Sequence, residues 1–361
     1  MISLLVFLFI LGILIVVHEL GHFMLAKGLG VQVEKFSLGF GPKIVSKNLR
    51  GTEYDIRLIP LGGYVKLAGD NLEEYKKGSN EYLSKAPLQR ALIVFFGPLF
   101  NYILGFLCFW LIFFVGYPTL TTKVGGLIEG LGAKAAGIQA GDRITGIDGK
   151  KVLFWEDIQR AVIAQKDKEA LKISLLRGDK KYNMEVRLEQ RQLDDPIGEK
   201  RNVPLLGITP FMDEIVKVRH GIVESFVLSA GKMYDMTVLT YKALFRMATG
   251  RISMRESVTG PLGIFYITSK AASIGLIAVL HLIAVLSVSL GLFNLLPLPL
   301  LDGGHIFLLA LEKFRGRPLS PKSEHAIAKI GLTMIIMLAV IVTYNDLVRF
   351  FGDRIAIFFK R

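Results

Sequence analysis

Four long stretches of this sequence carry no charge, and nothing else in it limits the possible folds so strongly. Met1 to Val17 is uncharged, with apolar character continuing to about Ala26; so are Ala91 to Thr122, Ala271 to Leu301 and Ile330 to Asn345. A bilayer core of about 30 Å needs about 20 helical residues, so each run can span it. The last run is the shortest, but Ala326 to Val348 suffices if the Lys329 side chain reaches the interface. One such run fits a buried core helix; four in one chain do not. The first run has no basic start and no small-x-small cleavage site before His18-Glu19, which favours a retained helix over a cleaved leader.

The excess of 44 Lys and Arg over 31 Asp and Glu gives a net charge of +13, which suits either nucleic acid or the basic loops of a membrane protein. Its distribution decides for the loops. Lys27, Lys35, Lys43, Lys47 and Arg50 follow the first run, Lys85 and Arg90 precede the second, and Lys313, Arg315, Arg317 and Lys322 lie between the third and fourth. Both loops are therefore predicted to be cytoplasmic, with both termini and the long segment from about 118 to 275 outside. Arg349, Arg354, Lys360 and Arg361 in the tail argue mildly the other way. The single cysteine, Cys108, excludes an internal disulfide and any multi-cysteine metal site.

The soluble segments have patterns of their own. Gly141-Asp142-Arg143-Ile144-Thr145-Gly146-Ile147-Asp148-Gly149 alternates turns with β-branched residues. A helix follows at Trp155 to Ala164, with Trp155, Ile158 and Val162 on one face, then strands at Leu171 to Arg177 and Lys181 to Leu188 joined at Gly178-Asp179. The run from Ala135 to Ile144, continued by Ile147-Asp148-Gly149-Lys150, resembles a bacterial PDZ domain, a fold that binds extended peptide ends by strand addition. From about Gly221 to Ala248 a helical apolar pattern suits a helix on the membrane surface or against other spans, or a connector packed on the soluble domain. Alternation at Val31, Val33, Phe36, Leu38 and Phe40, then at Tyr54, Ile56 and Leu58, predicts a small sheet or hairpin beside the first helix. The fold class is thus a polytopic α-helical membrane protein with four transmembrane helices, an inserted extracytoplasmic α+β domain and a small cytoplasmic β-rich loop.

Chemistry concentrates at His18-Glu19-Leu20-Gly21-His22. On a helix, positions i and i+4 share a face, so both imidazoles reach one zinc ion, with Glu19 able to act as general base on a zinc-bound water. Chance would supply roughly 0.005 such motifs in a chain of this composition. His18 lies about 25 Å along the helix from Met1, at a depth where ionisable groups are costly without a partner. Zinc needs a third ligand. Asp302 closes Asn294-Leu-Leu-Pro297-Leu-Pro299-Leu-Leu-Asp302-Gly303-Gly304, where two prolines break the third span. Asp302 also fits a plain helix-terminating acid at the interface, and His305, three residues on, is a rival third ligand.

HELGH in the first span, Asn294-x-x-Pro-x-Pro-x-Leu-Asp302-Gly in the third and a PDZ-like segment between the second and third resemble the site-2 protease family. Gly97-Pro98-Leu99-Phe100-Asn101 and Gly260-Pro261-Leu262-Gly263-Ile264 resemble its bacterial branch that cleaves membrane-spanning anti-sigma factors. The resemblance implies a zinc centre on His18, His22 and Asp302, a catalytic Glu19, and Asn294 assisting substrate placement. It also implies single-pass membrane substrates such as anti-sigma factors and remnant signal peptides, a bacterial inner-membrane location with the active site near the cytoplasmic side, and a peptide end bound by the PDZ domain. This chain has one recognisable PDZ domain where some members carry two. The expected plan is helix 1 at 1–26, β-rich loop at 27–90, helix 2 at 91–117, PDZ domain at 118–212, amphipathic helical segment at 213–275, helix 3 at 276–301, loop at 302–325, helix 4 at 326–348 and tail at 349–361. No nucleic-acid partner is expected. Two other classes compete: a polytopic transporter, and a non-catalytic PDZ scaffold, each with a structural metal. Neither needs a glutamate between the two histidines.

Overall fold

A computed structural model describes residues 2–165, 168–194, 198, 200–253, 258–317 and 319–359. The chain divides into two compact units: Met1–Ile112, Ser225–Met247 and Ser253–Arg361 form one, and Phe113–Glu224 with Ala248–Ile252 the other.

The first uncharged run is one helix, α1 (Ile2–Gly28), followed by two long strands, β1 (Val33–Leu49) and β2 (Thr52–Leu67). Arg50 and Gly51, both at positive φ, make the two-residue turn whose twist matches that of a hairpin. The pairing is more than a hairpin. Lys35 to Leu38 of β1 stand opposite both Lys66 to Gly63 and Glu53 to Ile56 of β2, because the strands bend at Gly39 and Gly62. The sheet packs on the end of α1 through Ala26, Val31, Val33 and Leu67. The Phe23 ring of α1 meets Phe36 at 5.4 Å and Tyr54 at 5.9 Å. The second run is α2 (Pro87–Val115), with proline at its first position and another, Pro98, inside it.

The inserted unit opens with β3 (Tyr117–Leu120), β4 (Val124–Leu127) and the short α3 (Gly132–Ala135). β5 (Arg143–Ile147), β6 (Lys150–Lys151), β7 (Ala170–Arg177) and β8 (Lys180–Arg187) form a four-stranded sheet in the order β6-β5-β7-β8. α4 (Trp155–Ile163) covers it with the face expected from its spacing, as Trp155, Ile158 and Val162 join Ile144, Leu171, Ile173, Leu175 and Val186 in one core. Asp142 is buried beside the Arg177 guanidinium, accepting from Nε and Nη2 at 2.8 Å each. Burial pushes its carboxyl up, but the Arg177 fork and the Gln139 amide outweigh that and hold it below the usual carboxylate range. The local pattern did not reveal the return of the chain. After β9 (Glu189–Asp194) and β10 (Lys200–Leu205), β11 (Ile208–Pro210) pairs with β4 and β12 (Ile215–Val218) with β3.

α5 (Ile222–Ala248) is the amphipathic segment, and it packs against a span. Phe226 meets Phe106 at 5.0 Å, and Tyr102 donates to Thr237 Oγ1 at 2.8 Å, since the Thr237 proton is used on Met233 O. The third apolar region is split by Gly275, at φ 128°, into α6 (Pro261–Ile274) and α7 (Leu276–Asn294). α8 (Asp302–Arg315) and α9 (Pro321–Phe359) follow. α6 lies along α1, with Phe265 at 5.5 Å from Phe7 and Ser269 bonded to Ser3. Its first turn is capped from α9, where the buried Asp346 accepts from the amides of Gly260 and Gly263. α9 is longer than the span expected at 326–348, running on as helix to Phe359.

Among the described residues four helices are long and apolar enough to cross a membrane: Ile2–Gly28, Pro87–Val115, Leu276–Asn294 and His325–Arg349. Each overlaps one of the four uncharged runs, and the chain is a membrane protein.

Candidate metal centre

His18 and His22 sit one turn apart on α1, and their Nε2 atoms are 3.2 Å apart. Asp302 reaches them from the first position of α8, with Oδ2 at 3.2 Å from His18 Nε2 and Oδ1 at 3.7 Å from His22 Nε2. All three side chains are 13 to 16% exposed, sheltered yet reachable. Among the described residues, these three form a His/Cys/Asp/Glu group close enough to hold a metal. The donor set fits zinc. Tetrahedral bonds of about 2.0–2.1 Å put neighbouring donors about 3.3–3.4 Å apart, close to the spacing here, and two imidazoles with one carboxylate leave a position open.

Asp302 arrives through the proline loop. α7 ends at Asn294, and the last turn is closed by Leu295 and Leu296 amides on Leu292 and Phe293. Pro297 and Pro299 have no N–H to continue the helix. Leu298 then donates to Leu296 O at 2.7 Å, and Leu300 adopts a left-handed φ of 70°. That conformation costs a leucine about 1–3 kcal/mol, which the surrounding contacts must supply. The loop is wound tightly onto α8: a Cβ on Gly303 would fall 2.3 Å from Leu295 O, and one on Gly304 2.1 Å from Leu298 O. Only glycine therefore lets the chain turn here and present Asp302.

α2 supplies the opposite wall. A Cβ on Gly21 would lie 2.1 Å from Phe96 O, and one on Gly97 would lie 2.3 Å from His22 Cε1 and 3.0 Å from His18 Cε1. The two helices thus touch backbone to backbone at the histidines. His22 Nδ1 donates to Ile93 O at 2.9 Å, which leaves its Nε2 lone pair directed at the site. Asn101 is fully buried, with Nδ2 at 3.4 Å from His18 Nδ1, and its own carbonyl accepts from Ser287 Oγ at 2.7 Å.

Glu19 is half-buried on the same turn as the histidines. β2 passes beside it: a Cβ on Gly63 would lie 2.9 Å from Ile15 Cγ2 and 3.4 Å from Glu19 Cγ. His305 falls outside the donor group. It lines a neighbouring cavity of about 330 Å³ with the ion-paired Arg90 and Glu312, His325 and Tyr82. Burial pushes the Tyr82 phenol up to about 12. Asn294, the last residue of α7, is half-buried. The contributions of Ile93, Gly97 and Asn101 were not assigned from the sequence. The available signal was Asn101 itself, the one side-chain amide in the uncharged run from 91 to 122.

The model of peptidase family M50 matches residues 6–338. The chain belongs to peptidase family M50, the family of the site-2 proteases. A Fusobacterium nucleatum protein named "Putative zinc metalloprotease FN1322" is 32% identical, with 95% of this chain and 97% of that one covered. A Campylobacter jejuni protein, "Putative zinc metalloprotease Cj1068", is 32% identical over 95% of this chain and 93% of its own. A Clostridium acetobutylicum protein, "Putative zinc metalloprotease CA_C1796", is 34% identical over 93% and 95%. Solved PDZ domains of SdrC-like proteins from Listeria monocytogenes and Listeria innocua are 24% and 27% identical, covering 26% and 25% of this chain and 88% and 92% of theirs, each at a TM-score of 0.20.

The packing yields a direct test of the donor arrangement in this M50 member. Gly97→Ala forces its methyl into both imidazoles and Asp302→Ala removes a donor, so either variant should retain under about a tenth of the zinc bound by the unaltered chain. Gly12→Ala, whose Cβ meets nothing within 4 Å, and His305→Ala should retain it fully. Zinc per chain after gel filtration, read by metal analysis, decides between them.

Proposed function

We propose that this chain is an intramembrane zinc endopeptidase of the site-2 type, hydrolysing peptide bonds in or near transmembrane segments of single-pass membrane proteins. The observation that carries this reading is the convergence of His18 and His22 of the first span with Asp302 from beyond the third, with Glu19 on the turn between the histidines. His18, His22 and Asp302 would hold the metal. Zinc bound there supplies Lewis acidity, polarising the scissile carbonyl and making water nucleophilic near neutral pH. Glu19 takes a proton from water as its oxygen bonds to the carbonyl carbon, and returns that proton to the amide nitrogen as the C–N bond breaks. Asn294 assists placement of the substrate.

A transmembrane substrate is a helix, and its carbonyls are used in its own hydrogen bonds until it unwinds locally. The edge of β2 near Gly63 runs beside Glu19, so an unwound segment paired to that edge is delivered to the general base. The inserted unit is read as a PDZ domain that binds a peptide end and restricts access to substrates already trimmed outside the membrane. On the charge distribution the active site lies near the cytoplasmic face of a bacterial inner membrane, with substrates of the anti-sigma-factor or remnant-signal-peptide kind.

Two outcomes test this reading. Glu19→Gln should keep zinc while cleavage of a single-pass membrane substrate falls by about 10²–10⁴-fold. A transporter or a non-catalytic scaffold would instead keep its function in that variant, and retained cleavage removes the protease mechanism. For the strand, a cysteine at Lys66 in a Cys108→Ala background is paired with single cysteines at successive positions along the substrate. Disulfide yields should alternate with a period of two; a period near 3.6 means the substrate is bound as a helix.

A further inference from the structure

The two histidines receive different support from α2, and only one of the two supports is self-evident. His22 has a carbonyl acceptor in Ile93 O, so its proton sits on Nδ1 and Nε2 is free to bind. His18 directs Nε2 at Asp302 in the same way, so its Nδ1 must carry the proton too. The group facing that Nδ1 is the side-chain amide of Asn101, 3.4 Å away and fully buried. Its Oδ1 is buried with no hydrogen-bond partner among the described residues, none of which holds the amide in one sense, and a half-turn about its last bond exchanges oxygen and nitrogen at no cost in shape.

We propose that Asn101 is the positioning residue for His18: Oδ1 accepts the Nδ1 proton and holds the imidazole with its Nε2 lone pair turned to the metal position it shares with Asp302. Its place is set from both sides. Ser287 Oγ of α7 holds the Asn101 backbone carbonyl, and one face of α2 carries Asn101 to His18 and Ile93 O to His22. The Gly97-Pro98-Leu99-Phe100-Asn101 turn is then one outer shell for both imidazoles: Gly97 gives them room, Ile93 O and the Asn101 amide fix their tautomers. Such outer partners are worth about 10–100-fold in metal affinity. The inference rests on the zinc-centre reading.

The test is zinc affinity, measured on the full chain in detergent by competition with a chromophoric chelator, beside far-UV circular dichroism. Asn101→Leu keeps the volume and loses the acceptor, and should weaken zinc by about 10–100-fold. Asn101→Asp keeps the acceptor and should bind zinc as tightly as the unaltered chain or more tightly. A purely structural role gives the reverse order, because a carboxylate at a fully buried position is worse for packing than leucine. Should Asn101→Leu fail to fold, Asn101→Ala makes the same comparison. If Asn101→Leu or Asn101→Ala binds zinc like the unaltered chain, or Asn101→Asp binds no better than they do, the proposal is overturned. If the unaltered chain takes up no zinc, the metal centre itself fails, and that outcome is separate.

Discussion

Two imidazoles within one spanning segment and a carboxylate just beyond another must find their partners inside the protein, because hydrocarbon offers none and an unsatisfied polar group there costs several kcal/mol. That requirement shapes the surrounding architecture. His18 and His22 face Asp302 on one side and α2 on the other, and α2 approaches until its backbone touches α1 at Gly21 and Gly97. Larger residues at those two positions would separate the helices and leave the imidazole Nδ1 atoms without acceptors. The glycines of this chain that matter most are therefore those that permit contact.

The third donor poses a different difficulty. A carboxylate on a continuous third helix would have a position fixed by the helix axis. This chain instead ends α7 at Asn294, takes a proline-rich turn with one left-handed leucine, and restarts as α8 at Asp302. The turn is irregular backbone of the kind tolerated in a membrane only where protein or a cavity surrounds it. Gly303, Gly304 and Gly331 supply that enclosure, letting Leu295, Leu298 and Pro299 pack directly on the neighbouring helices. Strain at Leu300 and the pairing of Asp302 with the histidines belong to one device.

The spans, the α1 motif and most of the β5–β8 unit were legible in the sequence, since each rests on a local pattern: long runs without charge, a four-residue spacing, alternation broken at Gly178-Asp179. Asp302 was legible only as the nearest acid to a span end, and the structure is what separates it from His305. The pairings of β4 with β11 and β3 with β12 were not legible, because they join residues some ninety positions apart and neither Gly125-Gly126 nor Pro118 sits in a pattern that announces a strand. The doubled use of Lys35 to Leu38 was equally hidden, as it depends on bends at Gly39 and Gly62 that resemble ordinary turns. Asn101 had a weak signal, an amide alone among apolar residues, but its partner is 83 positions away.

Two histidines of the first span and one carboxylate beyond the third are proposed to share a single zinc ion. X-ray absorption at the zinc edge, on the full chain purified in detergent, addresses it most directly. About one zinc per chain is expected, with two imidazole nitrogens and carboxylate or water oxygens at about 2.0–2.2 Å and no sulfur bonded to the metal. A sulfur at about 2.3 Å, or a first shell without imidazole, would contradict it.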